Sequence, residues 1–239
     1  MYHNPILKTV QSELHLSLNI ETIDNLFPGF TIGDFAVIHG SSAVQSLLPS
    51  LCVKAQLPYQ LGGLETNVLF VDGANSFRLY DVSDIAQTCE LDPKQVLERI
   101  FVSRAFTAYQ LVSLILEKLQ TAITKYGSKV VIISNLAQLF LDKDIQKKEA
   151  EKIFIQLTKY LATFAQKNQV ILIVTHKPYF WSKRTKFFKQ ALCESANVVV
   201  SVRLSDQISY FALEKHPFLQ LGQAEVPSDK CTLLDFVKG

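Results

Sequence analysis

Two stretches of this 239-residue sequence hold the residue types that bear on chemistry. The first runs Asp34-Phe-Ala-Val-Ile-His39-Gly40-Ser-Ser-Ala-Val-Gln45-Ser46-Leu47. A short apolar strand pattern, a glycine and then a helical pattern form the layout of a phosphate-binding loop, which asks for Gly, four residues, then Gly-Lys-Ser/Thr. Gly40 fills the first position, but Gln45, Ser46 and Leu47 fill the other three. The second glycine would supply the positive φ that aims N–H groups at phosphate oxygens. The lysine would offset the charge of the terminal phosphates, and the hydroxyl would hold Mg²⁺. On its residues alone, the segment keeps the layout of a nucleotide loop and lacks its working groups.

The second stretch is Thr175-His-Lys177-Pro-Tyr179-Phe180-Trp181-Ser-Lys183-Arg184-Thr-Lys186-Phe-Phe-Lys189-Gln190, with no carboxylate before Glu194. Cations interleaved with aromatic rings suit single-stranded nucleic acid: the cations track phosphates while the rings stack on unpaired bases, at about 1–3 kcal/mol per base. Two plainer readings stand beside it. Tyr179–Trp181 can form a protein-binding surface, or Phe187, Phe188 and Ala191 can be the buried side of a helix whose lysines face solvent.

Other groups carry less. The segment from Lys143 to Lys152 mixes both signs at a helix start and reads as a solvated face, with Lys147 and Lys148 as minor candidates for DNA contact. His176 and His216 sit at strand ends. The four cysteines, Cys52, Cys89, Cys193 and Cys231, show no metal spacing and read as reduced thiols, with neither a zinc site nor a disulfide framework. No Ser/His/Asp or Cys/His constellation and no paired carboxylates stand out.

The elements that must position these residues follow from periodicity. Strands are expected at Asp34–His39, Asn67–Asp72, Ile100–Arg104, Lys129–Ser134, Val170–Thr175, Asn197–Arg203 and Ile208–Lys215, the middle ones as continuous apolar runs typical of parallel strands covered on both faces. Helical spacing marks Thr107–Tyr126 and Asp144–Asn168. The last two strands are close enough for a hairpin. Alternating strands and helices followed by antiparallel strands predict an α/β, doubly wound, mostly parallel sheet with an antiparallel C-terminal edge. Ligands then belong beyond the carboxyl ends of the strands, where both stretches fall.

Hydrophobic residues make up 48% and charged residues 19%, which excludes a disordered chain. With 24 Lys+Arg against 22 Asp+Glu, bulk charge makes no case for nucleic acid, so any such case rests on a local patch. Neither a leader-like N-terminus nor a long apolar run is evident, which leads to an expectation of a cytoplasmic or nuclear protein without membrane contact.

In order, "IETIDNLFPGFTIGDFAVIHG" (20–40), "NVLFVDGANSF" (67–77), "RIFVSRAFTAYQLVSLI" (99–115), "KVVIISNLAQLF" (129–140), "VILIVTHK" (170–177) and "FALEKHPFLQLG" (211–222) resemble the ATPase core of the RecA/RadA family of strand-exchange recombinases. The likeness is greatest to the archaeal and eukaryotic branch and its short paralogs, and it covers roughly residues 20–225. It implies a single RecA-like core over 1–239, with 1–20 as an N-terminal extension and without the separate N-terminal domain of full-length recombinases.

The resemblance also shows where the chain departs from the family. Gly40, Gln45, Ser46 and Leu47 occupy the Walker A loop. Ala74 stands where the catalytic glutamate belongs, and Ser134-Asn135 where Walker B carries its Mg²⁺-linked aspartate. The segment holding Lys177, Tyr179, Phe180, Trp181, Lys183, Arg184, Lys186 and Lys189 falls at the family's second DNA-binding loop. His176 lies where a polar residue senses the γ-phosphate. The expectation is a non-catalytic recombinase paralog without a cofactor, an accessory factor in DNA recombination and repair. It would bind single-stranded DNA, a RecA-family recombinase or paralog, or both, with self-association also open. The alternatives are a purely structural subunit of a hetero-oligomeric RecA-like assembly and, third, an ATPase with an unorthodox loop.

Overall fold

A computed structural model describes residues 14–73, 75–177, 182–205 and 208–226. Ala74, Tyr179, Phe180 and Trp181 therefore lie outside the described residues, as does Cys231.

A short antiparallel pair comes first, β1 (His15–Leu16) with β2 (Phe30–Thr31), enclosing α1 (Glu21–Asp24). Leu16 and Leu18 are fully buried, so the packed chain begins ahead of residue 20. The main sheet is built from β3 (Phe35–Gly40), β4 (Asn67–Asp72), β5 (Ile100–Arg104), β6 (Ser128–Ser134), β7 (Ile171–His176), β8 (Val198–Ser205), β9 (Ile208–Lys215) and β10 (Gly222–Val226). Its order is β10-β9-β8-β3-β7-β6-β4-β5. From β8 to β5 neighbours are parallel, while β9 and β10 run antiparallel at one edge. This is the expected doubly wound α/β sheet.

The helices are α2 (Ala43–Lys54), α3 (Leu79–Thr88), α4 (Pro93–Glu98), α5 (Ala108–Ser113), α6 (Leu119–Tyr126), α7 (Lys147–Asn168) and α8 (Lys183–Ser195), with a wider π turn over Leu114–Lys118 joining α5 to α6. Strand alternation divides the core in two. Ala36, Ile38, Phe70, Ile132 and Ile173 pack under α2, α3 and α4 through Val44, Leu51, Val82, Ile85 and Val96. Phe35, Val37, Val71, Ile133 and Val174 face the other way, toward Leu111, Ile115, Phe154, Leu161 and Phe188 of α5 to α8.

Several boundaries differ from expectation for local reasons. Asp34 stays outside β3 because its carboxylate closes the preceding turn, accepting from Thr31 N at 2.7 Å, Thr31 Oγ1 at 3.0 Å and Asn197 Nδ2 at 2.7 Å. The helix expected from Asp144 begins at Lys147, after Gln146 in extended geometry. Strand β10 extends the antiparallel edge beyond what periodicity had marked.

Candidate functional site

Each parallel strand delivers a polar residue at its carboxyl end, and the register sets them in a row. Arg104 pairs with Asp72, Asp72 with Ser134, His39 with His176, and His39 with Ser201. The row divides into two clusters.

Asp72 anchors the first. Its carboxylate is fully buried and accepts from Ser134 Oγ at 3.0 Å, Ser76 N at 2.9 Å, Ser76 Oγ at 3.2 Å and Phe77 N at 3.2 Å. Arg104 Nη2 lies 3.4 Å away. A buried carboxylate is tolerated only when its lone pairs are satisfied in this way. Beside it, Asn135 takes a left-handed φ of 46°, which asparagine tolerates better than most residues. Its N–H donates to Thr175 Oγ1 at 2.8 Å, its Nδ2 to Gln138 Oε1 at 2.8 Å, and its Oδ1 accepts from Lys177 N at 3.1 Å. Ser134-Asn135 thus holds the ends of β4, β6 and β7 together.

The turn after β3 is tight. Gly40 has φ +140°, and a Cβ there would run into the Val202 carbonyl, so close approach to β8 by itself requires this glycine. Ser41 N donates to Val202 O at 2.9 Å. Helix α2 begins at Ala43, and the amides of Val44 and Gln45 are already spent on the carbonyls of Ser41 and Ser42. Leu47 is buried in the core, whereas Gln45 and Ser46 are half-buried on the helix.

The second cluster lies on the α8 side of the sheet. His39 Nε2 meets Glu214 Oε2 at 2.8 Å, and Arg203 Nη2 lies 3.6 Å from the other carboxylate oxygen. These groups, with Gly40, Ser41, His176, Lys189, Ser201 and Leu204, line a pocket of about 560 Å³. Burial holds His39 below the ordinary histidine value despite the opposing bond to Glu214. Burial, with His39 and Lys189 adding to it, pushes His176 down to about 4. Glu214 lies below the usual carboxylate range: burial raises it, but Ser201 and His39 outweigh burial. The Ser201 hydroxyl is near Glu214 without completing a well-formed hydrogen bond. His176 is 1% exposed, and neither of its ring nitrogens has a partner among the described residues.

Helix α8 carries the basic residues. Ser182 caps it, accepting from Thr185 N at 3.0 Å. Phe188 and Leu192 enter the core, Phe187 is half-buried, and Lys183 and Lys186 are exposed. This is the packing reading of the helix, with Phe188 buried and Lys183 and Lys186 facing solvent. Arg184 departs from expectation. Its guanidinium turns inward over Phe188 at 5.9 Å and donates to the carbonyls of Ile145 at 3.3 Å and Asp142 at 3.5 Å, so it braces the chain entering α7 and is not presented with Lys183 and Lys186. Lys189 lies apart, in the His176 pocket. Sequence reasoning missed Asp72 and the His39–Glu214 pair. The signal available for both was a charged or ionisable residue ending an otherwise apolar strand.

A six-stranded parallel run with polar strand ends, an antiparallel edge and helices on both faces defines a RecA-like α/β protein. Residues 12–184 match the family described as Rad51, and the chain belongs to that family. A curated relative, "DNA repair and recombination protein RadA" of Aeropyrum pernix, is 28% identical over 123 residues, covering 52% of this chain and 35% of the relative. The chain thus spans about a third of that relative's length in the match. Among the described residues, no helix is long and apolar enough to cross a membrane.

Proposed function

We propose that this chain is an accessory Rad51-family protein of DNA recombination and repair that binds single-stranded DNA and does not hydrolyse ATP. The observation that carries the reading is the β3–α2 turn. A phosphate cradle needs several free amides in a wide loop. Here the Ser41 amide is spent on β8 and those of Val44 and Gln45 on the first helical turn, which leaves fewer amides to cradle a triphosphate. At the metal position, Ser134 donates to Asp72 and offers no carboxylate. The basic residues Lys183 and Lys186 supply the electrostatic part of DNA binding. Family membership and the RadA relative support the recombination and repair context.

A RecA-family partner is supported by the β5 edge. Among the described residues, strand β5 pairs only with β4 in the sheet order, and Val102, Phe106 and Tyr109 are exposed on and just after it, Phe106 at 71%. An open strand edge beside apolar side chains favours pairing with another chain.

Two titrations test the function directly. Calorimetry with ATP–Mg²⁺ should give no heat of binding at this loop, and anisotropy with a labelled oligothymidylate should show salt-dependent binding. Micromolar ATP binding, or no oligonucleotide binding at low salt, overturns the reading.

A further inference from the structure

His176 presents an unusual accounting problem. Both ring nitrogens are shielded from water by a residue exposure of 1%, yet neither has a hydrogen-bond partner among the described residues. A buried polar group left without a hydrogen bond is destabilising, so such groups call for an occupant. The Ser41 hydroxyl, on the same pocket wall, is also buried and without a partner among the described residues. Lys189 comes from α8, and Arg203 from β8. The pocket is therefore rich in donors and has one carboxylate, Glu214, already engaged by His39 and Arg203.

We propose that this pocket receives one phosphodiester group of single-stranded nucleic acid, with Lys189, Arg203, His176 and Ser41 as donors. The inference rests on the DNA-binding reading above and assigns that reading a specific phosphate subsite. Charge selects the ligand. Lys189 and Arg203 contribute two positive charges and Glu214 one negative, while burial keeps both histidines neutral at pH 7. The single net positive charge matches a singly charged diester and leaves a triphosphate mostly uncompensated. Position selects the same source. His39 has the parity of Phe35 and Val37, so the pocket opens on the α8 side, away from α2. Lys183, Lys186 and Lys189 follow one another at three-residue steps along α8, so a strand following the exposed lysines is led to the pocket mouth.

The test starts from the unaltered protein, which has five histidines whose ring resonances can be assigned by substitution. Adding oligothymidylate should shift the His176 ring signals, and millimolar inorganic phosphate should shift them in the same direction. Lys189→Gln should weaken oligonucleotide affinity about fivefold and lower the slope of log K against log salt by about one, the loss of a single phosphate contact. His176→Leu should weaken affinity with little change in slope. If the oligonucleotide binds while His176 signals stay still and Lys189→Gln keeps the parent slope, the subsite is wrong and DNA binding stands. If inorganic phosphate shifts His176 but no oligonucleotide binds, the pocket is a free-anion site and both claims fail. If neither ligand moves the signals or binds, the pocket holds only solvent, and both claims fail again.

Discussion

The buried carboxylate of Asp72 accepts a hydrogen bond from Ser134 Oγ at 3.0 Å, across two strands that pair these residues directly. Removing this bond with Ser134→Ala should cost about 1.5–3 kcal/mol, the usual worth of a hydrogen bond to a charged group. Ser134→Asp should cost more, because two carboxylates would then share a buried site. Urea denaturation at pH 7 measures both. A Ser134→Asp protein as stable as the parent would show that Asp72 does not depend on Ser134.

Restoring the loop lysine should not restore a nucleotide site. Ser46 lies within α2, so Ser46→Lys places an ammonium on a formed helix and frees no amides. Adding Gln45→Gly should only destabilise, by about 1 kcal/mol for a glycine inside a helix. ATP–Mg²⁺ calorimetry on the double variant should stay flat. Saturable heat would mean that the turn opens more readily than its hydrogen bonds indicate.

Stability should fall with acid in a window set by His176. Its folded value is about 4 against 6.5 for the free side chain. Below pH 6.5 the unfolded chain takes up a proton that the folded chain refuses, so stability present at pH 7 is lost as pH falls toward 4. A shift of this size is worth about 3 kcal/mol. His176→Leu should flatten that part of the urea-stability profile relative to the parent. An unchanged acid slope in the variant would mean that His176 is not the group responsible.

The cationic face should separate by residue. Lys183→Ala with Lys186→Ala should lower the salt slope of oligonucleotide binding by about two, one for each phosphate contact. Arg184→Ala should leave the slope alone and lower thermal stability, since its guanidinium serves the carbonyls of Asp142 and Ile145. A slope change from Arg184→Ala equal to that from either lysine would contradict its inward role.

The apolar runs made the parallel sheet legible, because strands such as β6 and β7, buried on both faces, can hardly be read otherwise. The antiparallel hairpin was legible from the short gap between the two expected strands, Asn197–Arg203 and Ile208–Lys215. The site was harder. Gly40 reads in sequence as a relic of a phosphate loop, yet its geometry is explained by contact with Val202, a neighbour distant in sequence. Arg184 looked like one more cation in a basic run, and only the proximity of residues 142–145 shows its direction. His39 and Glu214 are brought together by register between β3, β8 and β9, information that no local pattern holds.

The most direct measurement of the central claim is one oligothymidylate anisotropy titration, run at low salt with and without ATP–Mg²⁺. Binding in both arms with the same affinity is expected if DNA contact runs through α8 and not through the β3–α2 turn. Binding only in the presence of ATP–Mg²⁺, or an affinity that changes tenfold on its addition, would contradict it.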